Sequence, residues 1–359
     1  MAAILGAAVG AGAGDDEPAP FEASIPDECA GTSPAAVRRM AGQRLIVRTD
    51  GTPDQRLIER ARQGQIAGVI VFPSLGDDEA DITEGIERLQ RAAAAGGERP
   101  LIVATDQEGG EVKRFTVAPP QRSPFQLGDV GDADDARLEG KATGSFLDGV
   151  GINTDLAPVL DVNAVPGSVM QYRAFGSDPE QVSALGLAFA AGLQKAGVLA
   201  TAKHFPGLGR STLNTDLSPS EIDASRRELM RDLQPFRDVI AQGIPLVMVG
   251  LATYPALRAG DPATLEPKIV DGLLREQLGF EGVVISDDLE AAAVSSSYSA
   301  QEAAVAAAAA GTDLLLFAQD GAPDALEALA KAIRNARVDI AAARRSCIRV
   351  VGLREGLEG

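Results

Sequence analysis

The chain has a single histidine, His204, which excludes a three-histidine metal site and any HExxH helix. Its two cysteines, Cys29 and Cys347, are too few and too far apart for a zinc knuckle. They bracket nearly the whole chain, so either they staple the first and last elements together or they stay as two thiols. Lysine is scarce, six among 33 basic residues, and 51 acidic side chains bring the formal charge to -18. No basic cluster and no interleaving of basic with aromatic residues is present, and a field of this sign repels phosphate backbones. A nucleic-acid partner is not expected; a neutral sugar is unaffected. Long apolar runs are missing too. The opening AAILGAAVGAGAG is too short to span a bilayer and has no basic residue before its apolar stretch. Residues 1–32 read as a lead-in carrying the remnant of an export signal, with a disordered cytosolic tail as the other reading. The expected location is extracellular or in the cell envelope, with the cytoplasm as the alternative, and no integral membrane segment is expected.

What the chain does have is 359 residues that are 45% apolar, enough to bury a substantial core. Eight short, mostly β-branched apolar segments follow one another: RLIVR (44–48), GVIVF (68–72), LIVAT (101–105), TDLAPVL (154–160), VLATAKH (198–204), PLVMVG (245–250), GVVIS (282–286) and DLLLF (313–317). Continuous rather than alternating apolar runs suit strands buried on both faces. Helical patterns lie between them, among them ITEGIERLQRAAAAG, PEQVSALGLAFAAGLQKAG, PKIVDGLLREQLG and PDALEALAKAIRNAR. A first helix is announced by Ser33–Pro34, a capping residue followed by a proline whose missing N–H is harmless there. The spacing predicts an α/β fold with a parallel sheet, a single (β/α)8 TIM-type barrel over residues 33–350 with a short tail at 351–359. A doubly wound open sheet is the rival. Against it, no GxGxxG opens the first unit, and polar residues end many different strands, as a barrel mouth requires.

Those strand ends carry the chemistry. The seventh strand ends in SDDL, presenting Asp287 and Asp288; adjacent acids point in different directions, so at most one aims into the mouth, where a carboxylate can attack an anomeric carbon, bind a metal or merely cap the following helix. The third ends in TDQEGGEVKRF, with Asp106 and Glu108 at the mouth. The fifth ends in KHFPGLGRSTLNTD, with Lys203 and His204 at the rim and Arg210, Asn214 and Asp216 in the following loop. Asp161, Asn163 and Arg173 follow the fourth. Scattered cations among acids fit hydrogen bonding to a polyol better than phosphate binding.

The ordered set GVIVF, TDQEGGEVKRF, GINTDLAPVLDVN, YRAFGSDP, AKHFPGLG, TYPAL and GVVISDDL resembles glycoside hydrolase family 3, in particular the single-domain bacterial β-N-acetylglucosaminidases, over roughly residues 40–317. The resemblance implies Asp287 as nucleophile, with Asp106, Arg114, Arg173, Lys203 and His204 around the terminal sugar and Asn214 and Asp288 in support. Such members usually read KHFPGHG followed by an Asp-Ser-His triplet whose Asp–His pair protonates the leaving group. Here Leu208 replaces the first histidine, Asn214-Thr215-Asp216 replaces the triplet, and Leu251 stands where another histidine is usual. Asp216 is therefore the candidate general acid/base, with Glu108 or no protein group as the rival. The implied activity is retaining exo-β-glycosidase action on a carbohydrate or glycoconjugate, most simply an N-acetyl-β-D-glucosaminide, without cofactor or metal. The alternatives are a sugar-binding barrel that has lost hydrolysis and a β-glucosidase or phosphorylase variant of the same fold. Oligomeric state is not legible.

Overall fold

The computed structural model describes residues 25–73 and 78–357. Eight parallel strands form one sheet: β1 Leu45–Thr49, β2 Gly68–Val71, β3 Ile102–Thr105, β4 Thr154–Asp155, β5 Leu199–Phe205, β6 Leu246–Val249, β7 Val283–Ser286 and β8 Leu315–Phe317. β1 pairs with β8 through Leu45↔Leu315, and a bridge between Ile285 and Leu314 joins β7 to β8, closing the barrel. The continuous apolar runs follow from this closure, because alternate side chains serve two cores. Ile46, Ile70, Ile102, Leu156, Leu246 and Leu316 fill the barrel, while their neighbours Val47, Val69, Val103, Val247, Val284 and Phe317 pack outward against the helices.

The first helix spans Pro34–Gly42, capped as its sequence predicts by Ser33, whose Oγ accepts from the Ala36 N–H at 3.2 Å. Two expected elements differ. The fourth strand is a ladder only at Thr154–Asp155; beyond it Pro158 has no N–H to donate, and a single bridge, Val159↔Lys203, continues the pairing. PKIVDGLLREQLG forms a π-helix, Lys268–Gln277. A helix at Ala133–Gly149 and a small hairpin, Gln107–Gly109 with Val112–Lys113, were not marked by sequence pattern.

The two ends of the barrel are polar for different reasons. At the strand starts, the fully buried Asp313 accepts from Arg349 Nη2 at 2.7 Å and the Val284 N–H at 2.9 Å, and it also pairs with Arg275. Cys29 and Cys347 are joined as a disulfide at this end, with Cα atoms 5.6 Å apart. The polar groups at the opposite end are gathered round a cavity. The proposed export-signal remnant lies mostly outside the described residues; among those residues, no helix is long and apolar enough to cross a membrane.

Candidate active site

The C-terminal strand ends enclose a cavity of ≈ 230 Å³ that brings Asp106, Arg114, Arg173, Lys203, His204, Asn214, Asp216, Asp287 and Asp288 together. Its centre is a lattice of opposite charges. Lys203, almost wholly buried on β5, places Nζ 2.8 Å from Asp106 Oδ1 and 2.6 Å from Glu108 Oε1. Arg173 grips Glu108 with two donors, Nε to Oε2 at 2.9 Å and Nη2 to Oε1 at 2.7 Å. Arg114 Nη2 donates to Asp106 Oδ2 at 3.0 Å, and its guanidinium lies 4.4 Å from the centre of the Phe72 ring. Arg48 approaches the same ring at 4.9 Å.

These contacts fix protonation. Burial works against the charge on Asp106, but Lys203 and Arg114 outweigh it and hold the carboxyl well below its usual range. Glu108 is desolvated as well, yet Arg173 and Lys203 draw it down to about 2. Lys203 is raised in turn by its two carboxylates, despite burial. Glu108 is buried and paired with two cations, which hold its carboxyl ionised near neutrality.

His204 is held from behind. Its Nδ1 lies 2.7 Å from Asp161 Oδ2, and its Nε2 lies 3.5 Å from Arg173 Nη2. With a carboxylate at Nδ1, that nitrogen carries a proton and donates to Asp161. Asp161 Oδ1 also accepts from the Leu208 N–H at 2.5 Å, tying the following loop to the same carboxyl. Asp161 was visible in the sequence only as a polar residue after a strand. Arg48 and Phe72 were hidden inside strand-like runs.

Asp287 and Asp288 diverge as adjacent acids should. Asp288 Oδ1 turns away to accept from the N–H groups of Glu290 and Ala318, at 3.0 and 3.1 Å, fastening the end of β7 to the segment after β8. Burial pushes its carboxyl up to about 6. Asp287 is half-buried in the cavity, with Oδ1 accepting from the Asp288 N–H at 2.8 Å. Burial raises it above the usual aspartate range; His204 opposes the shift and Asp216 adds to it.

The loop after β5 crosses to the same side. Asp216 O and Thr215 O accept from Ala292 N and Ala293 N at 3.2 and 3.0 Å, docking the loop beside the segment that follows Asp287. The Asp216 side chain is exposed at the cavity edge. Asn214 Oδ1 accepts from the Asp216 backbone N–H at 2.9 Å and shapes the turn that carries Asp216. Leu208 lines the cavity, and Leu251 is buried in the core. Among the described residues, no group of three or more His, Cys, Asp or Glu is placed to hold a metal ion.

Known proteins share this arrangement of elements. A 31% identical relative, the β-hexosaminidase LpqI of Mycobacterium tuberculosis, aligns over 93% of this chain and 88% of its own length. An uncharacterised secreted glycosyl hydrolase of Arthroderma benhamiae is 37% identical, over 77% of this chain and 80% of its own. Among solved structures, a glycoside hydrolase family 3 β-N-acetylglucosaminidase from a Paenibacillus species superposes with a TM-score of 0.86 at 34% identity, covering 91% of this chain, which spans 63% of that one. A β-N-acetylhexosaminidase from Beutenbergia cavernae gives 0.80 at 32% identity, covering 89% and 98% of the two chains. The family model described as the glycosyl hydrolase family 3 N-terminal domain matches residues 37–353, and the chain belongs to that family.

Proposed function

We propose that the protein is a retaining exo-β-glycosidase that removes a terminal N-acetyl-β-D-glucosamine through a covalent intermediate on Asp287. The observation that carries this reading is the setting of Asp287. It is a half-buried carboxyl at the end of β7, with one oxygen held by the Asp288 N–H, facing a cavity of one-ring size ringed by fixed charges. The relatives' names supply the sugar.

In the first step the free oxygen of Asp287 bonds to the anomeric carbon while the bond from that carbon to the aglycone oxygen breaks. The departing oxygen takes a proton, which we assign to Asp216. In the second step water attacks the same carbon, Asp216 accepts the water's proton, and the bond to Asp287 breaks. The lattice of Asp106, Arg114, Arg173, Lys203 and His204 orients ring hydroxyls. It is already paired internally, so its dipoles are set before substrate arrives and little reorganisation accompanies reaction. The exposed Asp216 sits on a loop stitched to the Asp287 segment, a position suited to the leaving-group side.

Asp287→Ala should abolish turnover of 4-nitrophenyl N-acetyl-β-D-glucosaminide while leaving the melting curve in place. Near-normal turnover in that variant would sink the nucleophile assignment. The absence of any histidine besides His204 favours a second reading, a barrel that binds sugar without cleaving it. Such a protein would bind N-acetylglucosamine but show no burst of phenol from an activated aryl glycoside, whose departure needs little acid assistance.

A further inference from the structure

Asp155, on β4, has no part in the chemistry proposed above. Its side chain is fully buried, and its Oδ1 accepts from the Gln107 N–H at 3.0 Å. Gln107 is the residue between Asp106 and Glu108, the two carboxylates that clasp Lys203. Its own side chain hooks the loop beyond: Oε1 accepts from the Phe115 N–H at 3.0 Å, and Nε2 donates to Phe115 O at 3.0 Å and Pro119 O at 2.7 Å. The Gln107 peptide is thus the pivot of the whole segment, and Asp155 is what fastens that pivot to the barrel wall. The second oxygen, Oδ2, is buried and has no partner among the described residues.

We propose that Asp155 is a positioning residue of the active site, holding the peptide between Asp106 and Glu108 so that both carboxylates meet Lys203, and that it does so in its uncharged form. Oδ2 is unpaired in either form, but an unpaired neutral hydroxyl costs far less in a buried site than an unpaired carboxylate charge. The charged groups that face it are Lys203 from β5 and Asp106 and Glu108 beyond β3. Lys203 is already shared between those two acids, so a third carboxylate would compete for the same ammonium and repel its rivals. Burial, helped by Asp106 and Glu108 and opposed by the Gln107 N–H and Lys203, pushes the Asp155 carboxyl up to about 8. Near neutrality the acid is protonated and the lattice is intact. As pH rises through that value, the new charge should loosen the seat of Asp106 and Glu108, and sugar binding with it.

This inference rests on the glycosidase reading, and the experiment separates the two. kcat/KM of the full chain on 4-nitrophenyl N-acetyl-β-D-glucosaminide is measured from pH 5 to 10 for the wild type, Asp155→Asn and Asp155→Ala, with a melting curve for each. Asparagine keeps an oxygen for the Gln107 N–H and cannot ionise. It should retain activity at pH 7 within about threefold and carry the alkaline fall at least one unit higher than in the wild type. Alanine removes the anchor and should lower kcat/KM by roughly tenfold or more, mainly through KM, corresponding to one lost hydrogen bond. An alkaline limb unchanged in Asp155→Asn, or an asparagine variant as impaired as alanine at pH 7, would overturn the proposal. A residue serving the fold alone would shift the melting temperature and leave the limb where it was. If the wild type turns over no aryl glycoside, the glycosidase reading fails; the same three proteins are then titrated with N-acetylglucosamine across the same pH range, where a pH-independent affinity difference would overturn the role of Asp155.

Discussion

Glu108 shows how neighbours decide what a carboxyl can do. In the sequence it is an acid at a strand end and a fair candidate proton donor. In the fold its partners arrive from 65 residues away in Arg173 and from β5 in Lys203, and they hold it as an anion near neutrality. No local pattern announces such pairings, which is why the acids and cations of the site were legible as a set and their matching was not. Glu108→Gln would leave the largely buried Arg173 without its carboxylate and Lys203 with Asp106 alone, and we expect a loss of about 3 kcal/mol in urea unfolding. The pH dependence has a definite sign. The folded-state value of about 2 lies below the ordinary 4.5, so the stabilisation is complete above about pH 4.5 and is lost as pH falls towards 2. The wild type should therefore lose stability more steeply over that interval than Glu108→Gln does. For Asp216 the readout is kinetic. Asp216→Asn should slow glycosides with poor leaving groups severely and spare those of very acidic phenols, steepening the plot of log(kcat/KM) against leaving-group pKa. An unchanged slope rejects Asp216 as the acid.

Elements were easier to read than partnerships. Strands such as GVIVF and GVVIS stand out because a barrel buries both of their faces, so every position in the run must be apolar. The fourth strand reads longer than its ladder because the apolar run continues, with Val159 and Leu160, past the point where Pro158 interrupts the pairing. The hairpin at 107–113 has no alternating pattern in the sequence, because its register is set by Gly109–Gly110 and by the loop it carries. The helix Ala133–Gly149 carries few large apolar side chains, so no apolar stripe announces it, and it meets the helix Pro179–Lys195 through glycines. A Cβ on Gly140 would lie 2.2 Å from Phe189 O, and one on Gly192 would lie 2.3 Å from Arg137 O. Backbone on one helix cannot yield as a flexible side chain would. Gly192→Ala should cost about 1–3 kcal/mol by forcing these helices apart, in spite of alanine's better helix propensity. Equal or higher stability in that variant would show that the crossing has slack.

At the scale of the molecule, closure is achieved twice, once by hydrogen bonds between β8 and its neighbours and once by the disulfide at the strand starts. The sequence set out the strand order needed for the first and left the state of the cysteines open, since separation along the chain says nothing of distance in space. Replacing both cysteines by serine should lower stability by about 2–4 kcal/mol. kcat/KM should stay within twofold, because the bond lies at the end of the barrel away from the cavity. Loss of activity at temperatures where the variant is still folded would mean that the two ends are coupled. Between Cys29 and Cys347 the backbone is a covalent ring, and a ring cut once opens without shedding a piece. A protease that clips one of the loops at the working rim would leave both fragments tethered, still held by the strands on either side. Such wear would be invisible on a denaturing gel until a thiol is added.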